Sequence, residues 1–214
     1  MREKTVIVFD LDDTLYKEID FLMSGYQAIV KMIGGNEATY KKMLDWYHNK
    51  ENTFENLIDE YKLDLSIFKL VKIYRNHVPN ISLSQDTRNT LSWIKDSKFI
   101  TGLMTDGYSD TQRKKIEALG LESYFDKIII SEEFGSEKPD RKNYISFEND
   151  YPSRNYIYVG DNFNKDFITP NKLKWQTFGV LDDGRNIHKQ ILSLPKDNLP
   201  KVTISKISEI INYL

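Results

Sequence analysis

No cysteine occurs among the 214 residues. A disulfide scaffold, a thiolate zinc site and a thiol nucleophile are therefore excluded. Histidine is scarce too, and His48, His77 and His188 stand at no metal-ligand spacing, so they are read as surface or helical-insert residues and not as a metal site. Charge of one sign is also missing, because 30 Lys and Arg face 32 Asp and Glu for a net of −2. Phosphate-backbone binding needs a basic surface, so nucleic acid is not an expected partner. The N-terminal apolar run Thr5–Phe9 stops at Asp10, too short for a signal-peptide core or a bilayer span. A cytoplasmic protein without a membrane partner is expected. Repeats, low-complexity tracts and Pro- or Ser-rich linkers are lacking as well. What is present is 40% hydrophobic and 29% charged sequence, enough for one sizeable core and too apolar for disorder.

Short continuous apolar runs read as strands covered on both faces. They are Val6–Phe9, Phe99–Met104, Lys127–Ile130, Tyr156–Val159 and Thr177–Leu181, with a weaker one at Lys201–Ile204. Helical patterns separate them. One lies in Ser84–Lys95. Another is expected to open on a capping box, Ser109 with Gln112, and to stop at Gly120. On that helix Arg113-Lys114-Lys115 reads as a solvated basic face. Alternation of strand and helix implies a doubly wound, Rossmann-like α/β core with a parallel sheet.

One region breaks the alternation. After a helix expected over Glu18–Met32, three segments repeat an i, i+3, i+4, i+7 apolar spacing: Tyr40/Met43/Leu44/Tyr47, Phe54/Leu57/Ile58/Tyr61 and Ile67/Leu70/Val71/Tyr74. They predict an all-helical subdomain inserted after the first strand. The expected division is a core of residues 1–16 and 83–214 and a helical insert of 17–82.

The informative acids follow strands. Asp10 and Asp12 follow the first run, Thr105 and Asp106 the second, and Asp161 the fourth, with Asp166 five residues on. A lone Asp after a strand is usually a helix cap or turn residue. In an open parallel sheet, however, the carboxyl ends of the strands share one edge, where ligands bind. Several carboxylates gathered there repel one another unless a cation compensates. All-oxygen ligation without Cys or clustered His points to Mg²⁺. Lys138 follows the third strand on the same edge, held extended by Pro139 ahead of the next helix.

These residues resemble the haloacid dehalogenase superfamily of phosphohydrolases. The motifs are Asp10-Leu11-Asp12-Asp13-Thr14, Thr105-Asp106-Gly107, Lys138-Pro139-Asp140 and Gly160-Asp161 with Asp166. The stretch Leu119–Asp126 and the inserted helices match that superfamily's small-molecule phosphatase branch with its helical cap. The resemblance implies an Mg²⁺-dependent phosphatase of a small phosphorylated metabolite, a sugar phosphate or nucleotide. It implies Asp10 as nucleophile, Asp12 as general acid and base, and Thr105, Asp106 and Lys138 as phosphate-binding residues. Asp10, the Asp12 carbonyl and Asp161 would hold the metal, with Asp166 acting from behind them. Dehalogenases of the superfamily lack the acid at Asp12, so phosphoryl transfer is favoured.

Two positions depart from the family pattern. Thr169-Pro170 stands where relatives place small residues, and is expected to cap and open a helix. Lys174-Trp175 replaces a usual Ala-Gly, so the turn needs another solution, at a cost of about 1 kcal/mol if Lys174 is left-handed. A sugar-phosphate mutase of the same branch is the alternative activity, separated by whether phosphate is released. A non-catalytic binding protein is disfavoured because every motif residue is present. A monomer or weak homodimer is expected. Tyr16, Glu18 and Tyr26 are candidates for touching substrate.

Overall fold

The computed structural model describes residues 5–191 and 193–214. The first four residues of the expected core segment lie outside these. The chain divides into two compact units, Met1–Glu18 with Ser82–Leu214, and Ile19–Ile81. The second carries most of α1 (Glu18–Met32) and all of α2 (Glu37–His48), α3 (Thr53–Tyr61) and α4 (Ile67–Asn76). Asn36, Asn52 and Ser66 cap the last three, each with its side chain accepting from backbone N–H groups of the first turn. The apolar stripes meet in a core of Phe21, Tyr26, Ile29, Met43, Leu57 and Leu70, while Tyr61 and Ile67, at the stripe ends, remain exposed. Among the described residues no helix is long and apolar enough to cross a membrane.

In the first unit six strands form one sheet in the order β3-β2-β1-β4-β5-β6. They are β1 (Thr5–Phe9), β2 (Ile100–Thr105), β3 (Lys127–Ile130), β4 (Asn155–Gly160), β5 (Gln176–Val180) and β6 (Val202–Ile204). Every pairing is parallel, so the doubly wound α/β reading holds. Helices α5 (Gln85–Asp96), α6 (Ser109–Ala118), α7 (Ser131–Phe134), α8 (Arg141–Asp150) and α9 (Ile168–Lys172) connect them. One face of the sheet is sealed by Tyr144 and Phe147 of α8 with Tyr158, Phe163, Phe167 and Trp175. Gly102 allows this, because a Cβ there would lie 2.3 Å from the Phe147 ring.

The strand order places the functional edge. Chain direction away from β1 reverses between β2 on one side and β4 on the other, and the crevice beyond the carboxyl ends opens at that switch point. Register puts Phe9 beside both Leu103 and Val159. The residues just after β1 and β4 and the end of β2 are therefore neighbours. β2 begins one residue later than the apolar run suggests, so Thr105 ends the strand instead of following it.

Two local expectations fail. At α6 the N-cap is Tyr108, and no side chain caps it. The Ser109 hydroxyl instead donates to Glu133 at 2.5 Å, and Gln112 turns away to Asp12 and Thr105. Strong carboxylate and site partners outcompete the local cap. At α9 the cap position is Phe167 rather than Thr169. The Thr169 hydroxyl donates to the Pro139 carbonyl, tying α9 to the loop of Lys138. Lys174 does take the left-handed conformation, at φ 63°.

Candidate active site

Asp10 leaves β1 with its backbone N–H donating to Val159 O at 2.8 Å, so the backbone of β4 fixes where its carboxylate starts. Lys138 Nζ reaches Asp10 Oδ1 at 2.5 Å, Asp166 Oδ1 at 2.9 Å and the Tyr158 hydroxyl at 3.2 Å. The loop carrying it is held by Asp106, whose Oδ1 accepts from the Lys138 backbone N–H at 3.1 Å. Asp106 is itself paired with Lys165 at 2.7 Å. The Thr14 hydroxyl lies 3.3 Å from Asp10 Oδ2 and 3.4 Å from Asp161 Oδ1, bridging the first and last motifs.

Asp166 is fully buried and accepts from the Asn162 N–H at 3.0 Å. It sits against Gly160, where a Cβ would come within 2.4 Å of its Oδ2. A side chain at 160 would therefore displace it.

Burial and mutual repulsion dominate the electrostatics. Burial pushes the Asp10 carboxyl up to about 7 against the pull of Lys138, with Asp166 adding to the rise. Burial, then Asp10 and Asp166, push Asp161 up to about 9. Lys138 is held well above its usual value: burial opposes its charge, but Asp10 and Asp166 outweigh that. Asp10, Asp161 and Asp166 each offer an oxygen within 4.8 Å of the others. Among the described residues Asp161 has no ion-pair partner. Three crowded hard oxygen donors, two of them pushed toward neutrality by burial and by one another, fit a divalent cation such as Mg²⁺.

Asp12 lies apart from that trio. Its Oδ1 accepts from Lys115 Nζ at 2.7 Å and from the Tyr16 hydroxyl at 2.5 Å, and its Oδ2 from Gln112 Nε2 at 2.9 Å. Burial raises its pKa, but Lys115 and these hydrogen bonds outweigh it and the net shift is downward. The side-chain trio is thus completed by Asp166 and not by Asp12. Gln112 also donates to Thr105 Oγ1 at 2.5 Å.

Sequence reasoning missed Gln112 and Lys115. Lys115 is buried and pairs with Asp12 and, at 3.4 Å, with Glu18, so the reading of a solvated basic face is wrong there. Only Arg113 behaves as a surface residue, paired with Glu133. The signal was available: Gln112, Lys115, Ile116 and Leu119 share one stripe at i, i+3, i+4, i+7, and two polar side chains on a buried stripe imply buried partners. Asn186 was missed as well. It donates to Asp161 Oδ2 at 3.0 Å from the loop after β5, and nothing in its local sequence marks it. Tyr16 does reach the site, on Asp12, whereas Tyr26 donates to Thr53 within the helical unit at 3.2 Å.

A doubly wound parallel sheet with a cluster of buried carboxylates and a buried lysine at its switch point is the arrangement of an α/β hydrolase. The model of the haloacid dehalogenase-like hydrolases matches residues 7–180, and the chain belongs to that family. It is 24% identical to the glyceraldehyde 3-phosphate phosphatase of Methanocaldococcus jannaschii, over 97% of this chain and 96% of that protein. It is 37% identical to a pyrimidine 5'-nucleotidase of Escherichia coli over 31% of each chain. The fold matches that of the HAD-hydrolase YfnB of Bacillus subtilis, which was solved with magnesium bound. The TM-score is 0.72 at 17% identity, with 98% of each chain covered.

Proposed function

We propose that this chain is a magnesium-dependent phosphatase of small phosphomonoesters, of the sugar-phosphate class, working through an aspartyl-phosphate. It is a phosphoric monoester hydrolase on this reading. The observation that carries it is Lys138 Nζ seated on Asp10 Oδ1 at 2.5 Å at the switch point of the sheet, with Asp161 and Asp166 beside it. The named phosphatase that the chain follows over almost its whole length acts on a triose phosphate, and this supports the substrate class.

Asp10 attacks phosphorus in line, forming the aspartyl-phosphate as the ester P–O bond breaks. Like charges oppose that attack, and Lys138 offsets them while stabilising charge on the phosphoryl oxygens. Thr105 and the Asp106 N–H hold those oxygens. Asp12 takes up a proton from solvent as the phosphate dianion docks beside it and offsets the pull of Lys115, gives that proton to the leaving oxygen, and later takes one from the water that hydrolyses the intermediate. Asp10, the Asp12 carbonyl and Asp161 would hold Mg²⁺, which supplies Lewis-acid charge neutralisation at the phosphoryl group. Asp166 keeps Lys138 in place. The helical unit serves as the specificity cap.

Phosphate release from p-nitrophenyl phosphate and a panel of sugar phosphates and nucleoside monophosphates tests this, with and without Mg²⁺ and beside Asp10→Asn. Mg²⁺-dependent release that vanishes in Asp10→Asn is expected. Full activity in that variant would overturn the mechanism, and an isomerised sugar phosphate without free phosphate would identify a mutase.

A further inference from the structure

Asp12 is gripped from three sides by groups the family motifs do not include. Lys115 Nζ and the Tyr16 hydroxyl both donate to Oδ1, at 2.7 and 2.5 Å, and Gln112 Nε2 donates to Oδ2 at 2.9 Å. The grip comes from two separate segments: Gln112 and Lys115 are neighbours on one stripe of α6, and Tyr16 lies just after β1. Lys115 is 3% exposed, a poor place for an ammonium group unless it has a task. Its second partner, Glu18, is the more distant one, at 3.4 Å against 2.7 Å. Gln112 reaches Thr105 from the same amide nitrogen, so one side chain ties Asp12 to a residue of the phosphate-binding motif. The two oxygens are used unequally. Oδ1 takes two donors and Oδ2 one, which leaves on Oδ2 a free position for a proton in transit.

We propose that Lys115, Gln112 and Tyr16 form a three-point clamp that aims the Asp12 carboxyl, which makes Lys115 a positioning residue for proton transfer to the leaving oxygen. The proposal rests on the phosphatase reading above. As the bond from Asp10 to phosphorus forms, the ester P–O bond breaks and its electron pair goes to the leaving oxygen. That oxygen takes the proton which Asp12 has taken up from solvent on docking of the phosphate dianion, whose charge offsets the pull of Lys115, and Asp12 is left as a carboxylate held by the same three donors. General acid catalysis contributes about 10²- to 10⁴-fold and depends on hydrogen-bond reach, so a loosened carboxyl forfeits much of it. An ester whose leaving group departs as a stable anion does not need the proton.

The test compares kcat/KM, which reports the steps up to transfer of phosphorus, for two substrates in Lys115→Met. One is p-nitrophenyl phosphate. The other is whichever of glyceraldehyde 3-phosphate and glucose 6-phosphate the unaltered enzyme cleaves faster. The alkyl phosphate should fall on the order of 10²-fold and the aryl phosphate less than about 5-fold. Asp12→Asn should show a split of the same sign. Equal losses on both substrates would mean that Lys115 merely ties α6 down, and no loss on either would mean that Asp12 needs no clamp; each overturns the proposal. Should Lys115→Met not fold, Tyr16→Phe is judged by the same split. Persistence of activity in Asp10→Asn would instead sink the phosphatase mechanism itself, a separate outcome.

Discussion

Two carboxylates two residues apart, Asp10 and Asp12, live in opposite electrostatic surroundings. Asp10 shares Lys138 with Asp166 and faces Asp161, and burial pushes it up to about 7. Asp12 takes Lys115, which it shares with Glu18, together with the neutral donors Tyr16 and Gln112, and its pKa is lowered despite burial. The same residue type is thus left short of positive charge on one side of the strand end and well supplied on the other. A charge-poor cluster calls for an added cation, whereas a satisfied carboxylate needs only to be held at the right angle. Environment sets the two carboxylates apart, not residue type.

The sharpest way to break this contrast is to neutralise each member in turn. Asp10→Asn should lower turnover of every phosphate ester by about 10⁴-fold or more, because an amide cannot form the acyl-phosphate. Asp12→Asn should instead lower alkyl esters far more than aryl esters, read from kcat/KM. Parallel losses in the two variants would erase the division of labour. Next in size is the lysine. Lys138→Met should slow phosphate release on the order of 10²- to 10³-fold. It should also cost about 3–5 kcal/mol in urea unfolding, since Asp10 and Asp166 lose their shared buried partner.

The metal side of the comparison predicts an effect of opposite sign. Asp161→Asn should weaken Mg²⁺ binding, followed by calorimetry, about 10- to 100-fold. The same change removes a buried carboxylate without an ion-pair partner, so the metal-free variant should be more stable than the unaltered metal-free protein by about 1–2 kcal/mol. A variant that unfolds more readily without metal would mean that Asp161 is already satisfied by Thr14 and Asn186.

Most of this frame is legible in the sequence. The six apolar runs are the six strands, because a buried parallel strand must be continuously apolar. The acids at their ends stand together because a parallel sheet brings its carboxyl ends to one edge. What escaped was decided by partners distant in sequence. Ser109 looked like a cap by local rules, but Glu133 on another helix took its hydroxyl. Thr169 lost its capping role to the Pro139 carbonyl in the same way. Lys115 was grouped with its neighbours in a basic run, although helical periodicity puts it on the face opposite to a solvated one. Asn186 reaches Asp161 across 25 residues of chain, and no spacing rule announces such a contact.

The smallest expected effect concerns Tyr26 of the helical unit, whose hydroxyl serves packing. The Tyr26 hydroxyl is buried and donates to Thr53, and its ring packs edge-on to Tyr47 and Phe54. Tyr26→Phe keeps the ring and removes only that hydrogen bond. It should cost about 1 kcal/mol in unfolding and leave KM for the preferred sugar phosphate unchanged. A raised KM at unchanged stability would reverse the conclusion. The hydroxyl would then be a substrate contact, and the contrast between the acids at the edge of the sheet and a packing hydroxyl in the helical unit would fail at this residue.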